Sequence, residues 1–148
     1  TVEREVRIVN LWDRRNGARI LVVDDDERIR DSMRLFFEDQ GSILVTVGSS
    51  ELALEELGRQ GFDIIVLDYK LPGMSGMDLL KQIRETYPAP AKILVTAYST
   101  ESVAVQAAEH GADGFIRKPL SAEKIEACFS GIRCRNRVAG SGKEDPTG

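Results

Sequence analysis

The sequence predicts a doubly wound α/β domain built on five parallel strands. Three observations point there. Five short apolar runs recur along the chain: Ile20–Val23, Ile43–Val47, Ile64–Leu67, Ile93–Thr96 and Gly114–Ile116. Segments with helical periodicity separate them, and Gly41, Gly61 and Gly111 each close such a segment just before the next run. Short runs rich in Val, Ile and Leu suit strands buried on both faces. Strands that alternate with helices must be parallel, joined by right-handed crossovers that place helices on both sides of the sheet.

The elements follow in order. The first run leads to a helix whose apolar residues Ile29, Met33, Phe36 and Phe37 fall on one face. The second run is followed by a helix ending near Gly61, and the third by a helix with Leu79, Leu80 and Ile83 inward. Pro72, Gly73 and Gly76 form the turn that opens this third helix. The fourth run precedes a helix ending at Gly111, and Ile125, Phe129 and Ile132 mark the last helix. Glycine suits the helix ends because it enters the left-handed conformation without a Cβ clash. The αβ unit spans residues 18–134.

Composition bounds the rest. The 148 residues are 42% hydrophobic with 13 Gly, enough for a packed core and too much for wholesale disorder. The longest uninterrupted apolar runs have four residues, whereas a membrane-spanning helix needs about 20. No signal-peptide core is visible either. Twenty basic and 24 acidic residues leave a net charge of −4, against a broad nucleic-acid-binding face. Cys128 and Cys134 lack neighbouring metal ligands and read as free thiols of a reducing cytosol. The single histidine, His110, precedes Gly111 at a helix end and reads as a surface residue beside the helix dipole. The chain begins at Thr1 rather than Met, as a segment of a longer protein would.

Two tails flank the domain. Residues 1–17 form an extension or linker, with Val2, Val6 and Val9 at helical spacing and Ile8, Leu11 and Trp12 nearby. Residues 135–148 form a flexible tail, since nothing apolar follows Ala139. Arg133, Arg135 and Arg137 read as a solvated helix end.

The chemistry lies just past the strands. In open parallel sheets, ligands bind beyond the carboxyl ends of the strands. Asp24, Asp25 and Asp26 follow the first run, Asp68 the third, Thr96 ends the fourth, and Lys118 with Pro119 follows the fifth. Clustered carboxylates are comfortable as anions only around a cation, and oxygen-only donors suit Mg²⁺. Lys118 offers a point charge for a phosphoryl oxygen and Thr96 a hydroxyl donor. Together they make a device for stabilising a transferring phosphoryl group. With no Cys, Ser or His in the set, the nucleophile is a carboxylate. Asp68 is best placed for that role, with Asp24 and Asp25 paired for the metal.

Four segments then resemble the motifs of response-regulator receiver domains: Ile20–Arg30, Ile64–Gly76, Ile93–Ala97 and Phe115–Pro119. The resemblance spans Arg19 to Ile132. It implies a flavodoxin-like (βα)5 fold with strand order 2-1-3-4-5. It also implies that Asp68 accepts phosphate from a sensor histidine kinase, as part of a two-component system. Mg²⁺ would sit on Asp24, Asp25, Asp68 and the backbone carbonyl of Lys70. Thr96 would be the switch hydroxyl, Lys118 the phosphate partner, Phe115 the switch aromatic, and the Lys118–Pro119 peptide cis. Such a domain is a cytoplasmic switch controlling an effector domain or partner, not a turnover enzyme, and needs neither membrane nor direct nucleic-acid contact. Homodimerisation through the fourth helix, fifth strand and fifth helix is a further implication. The run from Thr96 to Ala107 is similar to receivers attached to sigma-54-dependent activators. Lys70 and Tyr98 occupy positions that tune water access in the family, and their bulk implies a long-lived phosphoryl group.

One alternative uses the same residue types. Asp24-x-Asp26, Thr96 and Lys118 mimic the motifs of a haloacid-dehalogenase-like phosphatase, which also forms an aspartyl phosphate. That reading lacks a later acidic pair and a cap insertion, and gives Asp68 no role. The identity of the nucleophile separates the two. A third reading is an interaction module that works without phosphorylation. Singly, Asp26 is a helix N-cap and Thr96 a β-former, so the constellation carries the argument.

Overall fold

The computed structural model describes residues 7–97 and 101–136. In chain order the elements are β1 (Arg7–Asn10), β2 (Arg19–Val23), α1 (Glu27–Asp39), β3 (Ile43–Val47), α2 (Ser50–Leu57) and β4 (Ile64–Asp68). They continue with α3 (Gly76–Thr86), β5 (Ala91–Thr96), α4 (Glu101–Glu109), β6 (Gly114–Arg117), α5 (Ala122–Ser130) and β7 (Arg133–Asn136). Strands β3-β2-β4-β5-β6 form one sheet in that order, all parallel. Counting the five parallel strands along the chain, this is the expected order 2-1-3-4-5.

Alternation along the strands divides the core into two layers. Ile20 and Val22, Ile64 and Val66, Ile93 and Val95, and Ile116 meet Met33 and Phe37 of α1 and Ile125 and Phe129 of α5. On the other face, Leu21, Val23, Ile65, Leu67 and Leu94 meet Ala53, Leu57, Leu79, Leu80, Ile83 and Ala107. All five residues of β4 are buried, as a central strand covered on both faces requires. Fully burying one such side chain is worth roughly 1.5–3 kcal/mol, so the two layers hold the sheet rigid beneath whatever sits on its rim.

Helix ends follow the local chemistry. Asp26, Ser49, Ser75 and Ser121 cap α1, α2, α3 and α5, each side chain accepting a backbone N–H two or three residues on. Gly41 and Gly111 take φ of 81° and 100°. At each, the last turn closes with paired reverse bonds, Gly41 N–H to Glu38 and Ser42 N–H to Phe37, then Gly111 N–H to Ala108 and Ala112 N–H to Ala107. Gly61 does not end its helix, because α2 stops at Leu57 with Gly58 as its cap. His110 caps α4, its N–H shared between the Gln106 and Ala107 carbonyls.

The structure departs from expectation at both tails. Residues 7–10 form a strand, not a helix, and pair antiparallel with β7, with Ile8 opposite Arg135 and Val9 opposite Cys134. Ile and Val favour extended backbone, and the segment after Ile132 supplies the pairing partner that local spacing cannot reveal. Arg133 and Arg135 accordingly lie in a strand rather than at a helix end. Val2, Val6, Arg137 and the tail from Ala139 lie outside the described residues.

The ribbon is tied to the core. The Leu11 N–H donates to the Ile132 carbonyl at 2.8 Å, and Leu11 is 1% exposed within the α1–α5 layer. The Trp12 ring lies 6.2 Å from Phe36 and 6.3 Å from Phe129, with the Arg15 guanidinium 3.7 Å over its centre. Cys128 and Cys134 are free thiols. Among the described residues, no helix is long and apolar enough to cross a membrane.

Deleting most of the Leu11 side chain should therefore cost core stability. Leu11→Ala is expected to lower unfolding free energy in urea by about 2–5 kcal/mol. Ile8→Ala, on a residue 62% exposed, should change it by less than about 0.5 kcal/mol. Equal effects would show that the ribbon is not anchored as described.

Candidate functional site

Parallel strands end on the same rim, and strand register decides which side chains meet there. Val23 of β2 pairs with Leu67 of β4, so Asp24 and Asp68 stand side by side one residue later. Asp68 pairs with Val95, which puts Thr96 next along β5, and Thr96 pairs with Arg117, which puts Lys118 just beyond β6. Residues up to 94 positions apart thus reach one place (118 − 24).

The side chains converge. Carboxylate oxygens of Asp24, Asp25 and Asp68 lie within 4.8 Å of one another. The Lys118 ammonium stands 3.2 Å from Asp24 Oδ2 and 3.3 Å from Asp68 Oδ2. Asp24, Asp68 and Thr96 are buried, whereas Asp25 opens the cluster to solvent. Asp24 is held from several sides: its N–H donates to Val47 at 3.1 Å, its Oδ1 accepts the Asp26 N–H at 2.9 Å, and its carbonyl accepts Nη1 of Arg30 at 2.7 Å. The backbone N–H of Lys70 donates to the Asp68 carboxylate, and the Lys70 side chain is exposed. The Lys118 N–H donates to the Thr96 carbonyl at 2.8 Å, and the Lys118–Pro119 peptide is cis. Phe115 is half-buried against the α2–α3–α4 layer, on the sheet face that Leu94 and Thr96 share by alternation. Tyr98 lies outside the described residues.

The electrostatics follow from crowding. Burial, then the neighbouring Asp24 charge, pushes the Asp68 carboxyl up to about 6, against the pull of Lys118. Burial works against the Lys118 ammonium, but Asp24 and Asp68 together outweigh it and raise its pKa. One lysine cannot neutralise three carboxylates. The donor set is all oxygen, tightly grouped and open at Asp25, which fits a hard divalent cation such as Mg²⁺. Asp26 stands apart as the α1 cap, so an Asp24-x-Asp26 pair acting as in a phosphatase is not formed here.

Sequence reasoning missed one positioning residue outright. Gly76 reads as a turn residue, yet a Cβ there would lie 1.9 Å from the Asp68 carbonyl oxygen. The start of α3 packs on the backbone of the central carboxylate, and only glycine allows that approach. The available signal was a glycine directly after the Ser75 cap, where a helix former would otherwise serve. Ser50, fully buried, adds a second support by donating to the Met74 carbonyl at 2.9 Å in the loop after Asp68.

The chain is similar in sequence and in fold to known proteins. The family model of the response regulator receiver domain matches residues 20–130. The sensory transduction protein RegX3 of Mycolicibacterium smegmatis is 40% identical over 108 residues, which cover 73% of this chain and 47% of RegX3. The alginate biosynthesis transcriptional regulatory protein AlgB of Pseudomonas putida is 37% identical over 110 residues, covering 74% of this chain and 25% of AlgB. The chain thus spans about half the length of the first relative and a quarter of the second. A crystal structure of a response regulator protein from Burkholderia pseudomallei, with a phosphorylated aspartic acid, calcium ion and citrate, superposes with a TM-score of 0.71. It is 28% identical and covers 76% of this chain and 66% of that one.

The raised Asp68 value makes a stability prediction. Between its ordinary 3.8 and about 6, the folded chain holds the Asp68 proton more tightly than the unfolded chain. Stability therefore falls as pH rises through that window, and at neutral pH the ionised carboxylate costs on the order of 1–3 kcal/mol. In metal-free buffer, Asp68→Asn should melt higher than the unsubstituted chain at pH 7.5, with the gap closing as pH falls from 6 to 4. A gap independent of pH would refute the crowding account.

Proposed function

Because the chain belongs to the response regulator receiver domain family, we propose that Asp68 is its phosphoacceptor and that a sensor histidine kinase is the donor. One Asp68 carboxylate oxygen attacks the phosphorus of a phosphohistidine. The O–P bond forms, the N–P bond breaks, and its electron pair returns to the imidazole. The observation that supports this best is the shared ion pair, Lys118 bridging Asp24 and Asp68 at 3.2 and 3.3 Å. The same ammonium is close enough to Asp68 to receive a phosphoryl oxygen placed on it.

Asp24, Asp25, Asp68 and the backbone carbonyl of Lys70 would hold Mg²⁺, which when bound supplies positive charge against the phosphoryl oxygens. The chain's own residues do the rest. Asp24 and Asp25 carry the acidic charge of the metal site, Lys118 offsets phosphoryl charge, and the Thr96 hydroxyl donates to a phosphoryl oxygen. Drawing Thr96 inward lets Phe115 turn into the vacated space and reshapes the surface of α4, β6 and α5. Moving a two-state equilibrium from 1:99 to 99:1 takes about 5.5 kcal/mol. Charge-assisted hydrogen bonds of roughly 1.5–3 kcal/mol each, from Thr96 and Lys118, supply much of that. The phosphorylated aspartic acid of the Burkholderia pseudomallei protein supports the acceptor chemistry.

The output is control of an effector domain or partner protein in the cytoplasm, with a transcriptional activator of the sigma-54-dependent type as the effector that the sequence favours. The run from Thr96 to Ala107 supports this, as does the likeness to AlgB, a transcriptional regulatory protein. The reshaped α4–β6–α5 face forms a homodimer, and Lys70 with Tyr98 shields the acyl phosphate from water.

Incubation with acetyl phosphate and Mg²⁺ should add about 80 Da, one phosphoryl group. Asp68→Asn should abolish the adduct, whereas Asp26→Asn should keep it. Retention in Asp68→Asn would overturn the assignment. Followed over time, Lys70→Asn should shed the adduct several-fold faster. Beryllofluoride-treated protein should sediment as a dimer, and a persistent monomer would remove the proposed dimer face.

A further inference from the structure

Arg30 projects from the end of the first turn of α1 and makes a contact that none of the roles above uses. Its Nη1 donates to the Asp24 carbonyl at 2.7 Å. That carbonyl belongs to the peptide unit joining Asp24 to Asp25, so the guanidinium grips the single rigid plane that orients both carboxylates. A rotation of this plane would move the Asp25 Cα and swing its side chain out of the cluster. Gly48, in the turn between β3 and α2, leaves the room for this. A Cβ at Gly48 would sit 3.2 Å from Nη1 and 3.7 Å from Cζ of Arg30. Arg30 is half-buried in that notch, and the Asp24 N–H is fixed from the neighbouring position by Val47. The Asp24 main chain is thus clamped at both its N–H and its C=O.

We propose that Arg30 is a positioning residue for the divalent-cation site, acting by locking the Asp24–Asp25 peptide, with Gly48 as the space that admits its guanidinium. The proposal rests on the metal role assigned to Asp24 and Asp25 under the proposed function. It makes a prediction opposite in sign to simple electrostatics. A cation near the cluster that acted only through its charge would repel Mg²⁺, and its removal would tighten binding. A clamp predicts the reverse, since loss of a residue that orients metal ligands commonly weakens affinity by about 10–100-fold.

The test is calorimetric titration of the whole chain with MgCl₂ alone. Arg30→Gln should raise the Mg²⁺ dissociation constant about 10-fold or more. Arg30→Lys, which keeps a donor and the charge, should recover part of the loss. Arg34→Gln, on the same helix but bonded to Asp31 and Thr46, should bind Mg²⁺ as the unsubstituted chain does. Gly48→Val should reproduce the Arg30→Gln defect by filling the notch while leaving the arginine in the sequence, which keeps the test open should Arg30→Gln fold poorly. Unchanged or tighter binding in both Arg30→Gln and Gly48→Val overturns the assignment of Arg30 and leaves the metal site standing. Absence of Mg²⁺ binding in the unsubstituted chain overturns the metal site and this proposal with it.

Discussion

Crowded negative charge under partial burial is the constraint on which the rest of this molecule depends. Asp24 and Asp68 are almost wholly withdrawn from solvent, next to one another, with a third carboxylate at the mouth. Left alone, such a group repels itself and sheds charge by taking up protons. The chain answers with one ammonium placed between the two buried acids and with backbone N–H donors from Asp26 and Lys70. The remaining imbalance, three carboxylates against one ammonium, is the charge that a bound cation would offset. A neutral pocket of the same shape would carry none of this repulsion.

Holding that imbalance in place is the work of the sheet. Asp68 and Thr96 end β4 and β5, and Asp24 and Lys118 follow directly on β2 and β6, so each Cα is set by a ladder of backbone bonds between apolar layers. The supports then reach past the strand ends. Gly76 lets α3 rest on the Asp68 main chain, Ser50 ties the following loop to α2, and Arg30 grips the peptide after Asp24. Burial energy from the two layers is thus converted into fixed positions for charges that would otherwise drift apart.

Much of this was legible in the residues before any coordinates. The five parallel strands announce themselves as short runs rich in Val, Ile and Leu, clearest at β2 and β4, where cover on both faces leaves no room for polar alternation. Asp24, Asp25, Asp68, Thr96 and Lys118 stood out because polar residues at or just past the ends of four such runs have no packing reason to be there. What stayed hidden depended on contacts distant in sequence. Val9 and Cys134 are 125 positions apart (134 − 9), and neither short strand carries a local signal of the other. Gly61 misled because a glycine after a helical stretch says that a turn is near, not where the last helical bond lies. Gly76 was visible as a residue and invisible as a contact, since its purpose is the absence of a methyl group against another segment's carbonyl.

The ribbon at the foot of the domain has a geometric consequence of its own. Because Arg7 lies across from Asn136, the described body begins and finishes at a single seam, on the far side from the acidic pocket. Topologically it is nearly a closed ring. A body of this kind can be spliced into a host loop, or have its ends joined and be reopened elsewhere, with little strain at the junction. Any rotation of α5 would also be felt at that seam on both polypeptide arms together, as a hinge pin moves both leaves.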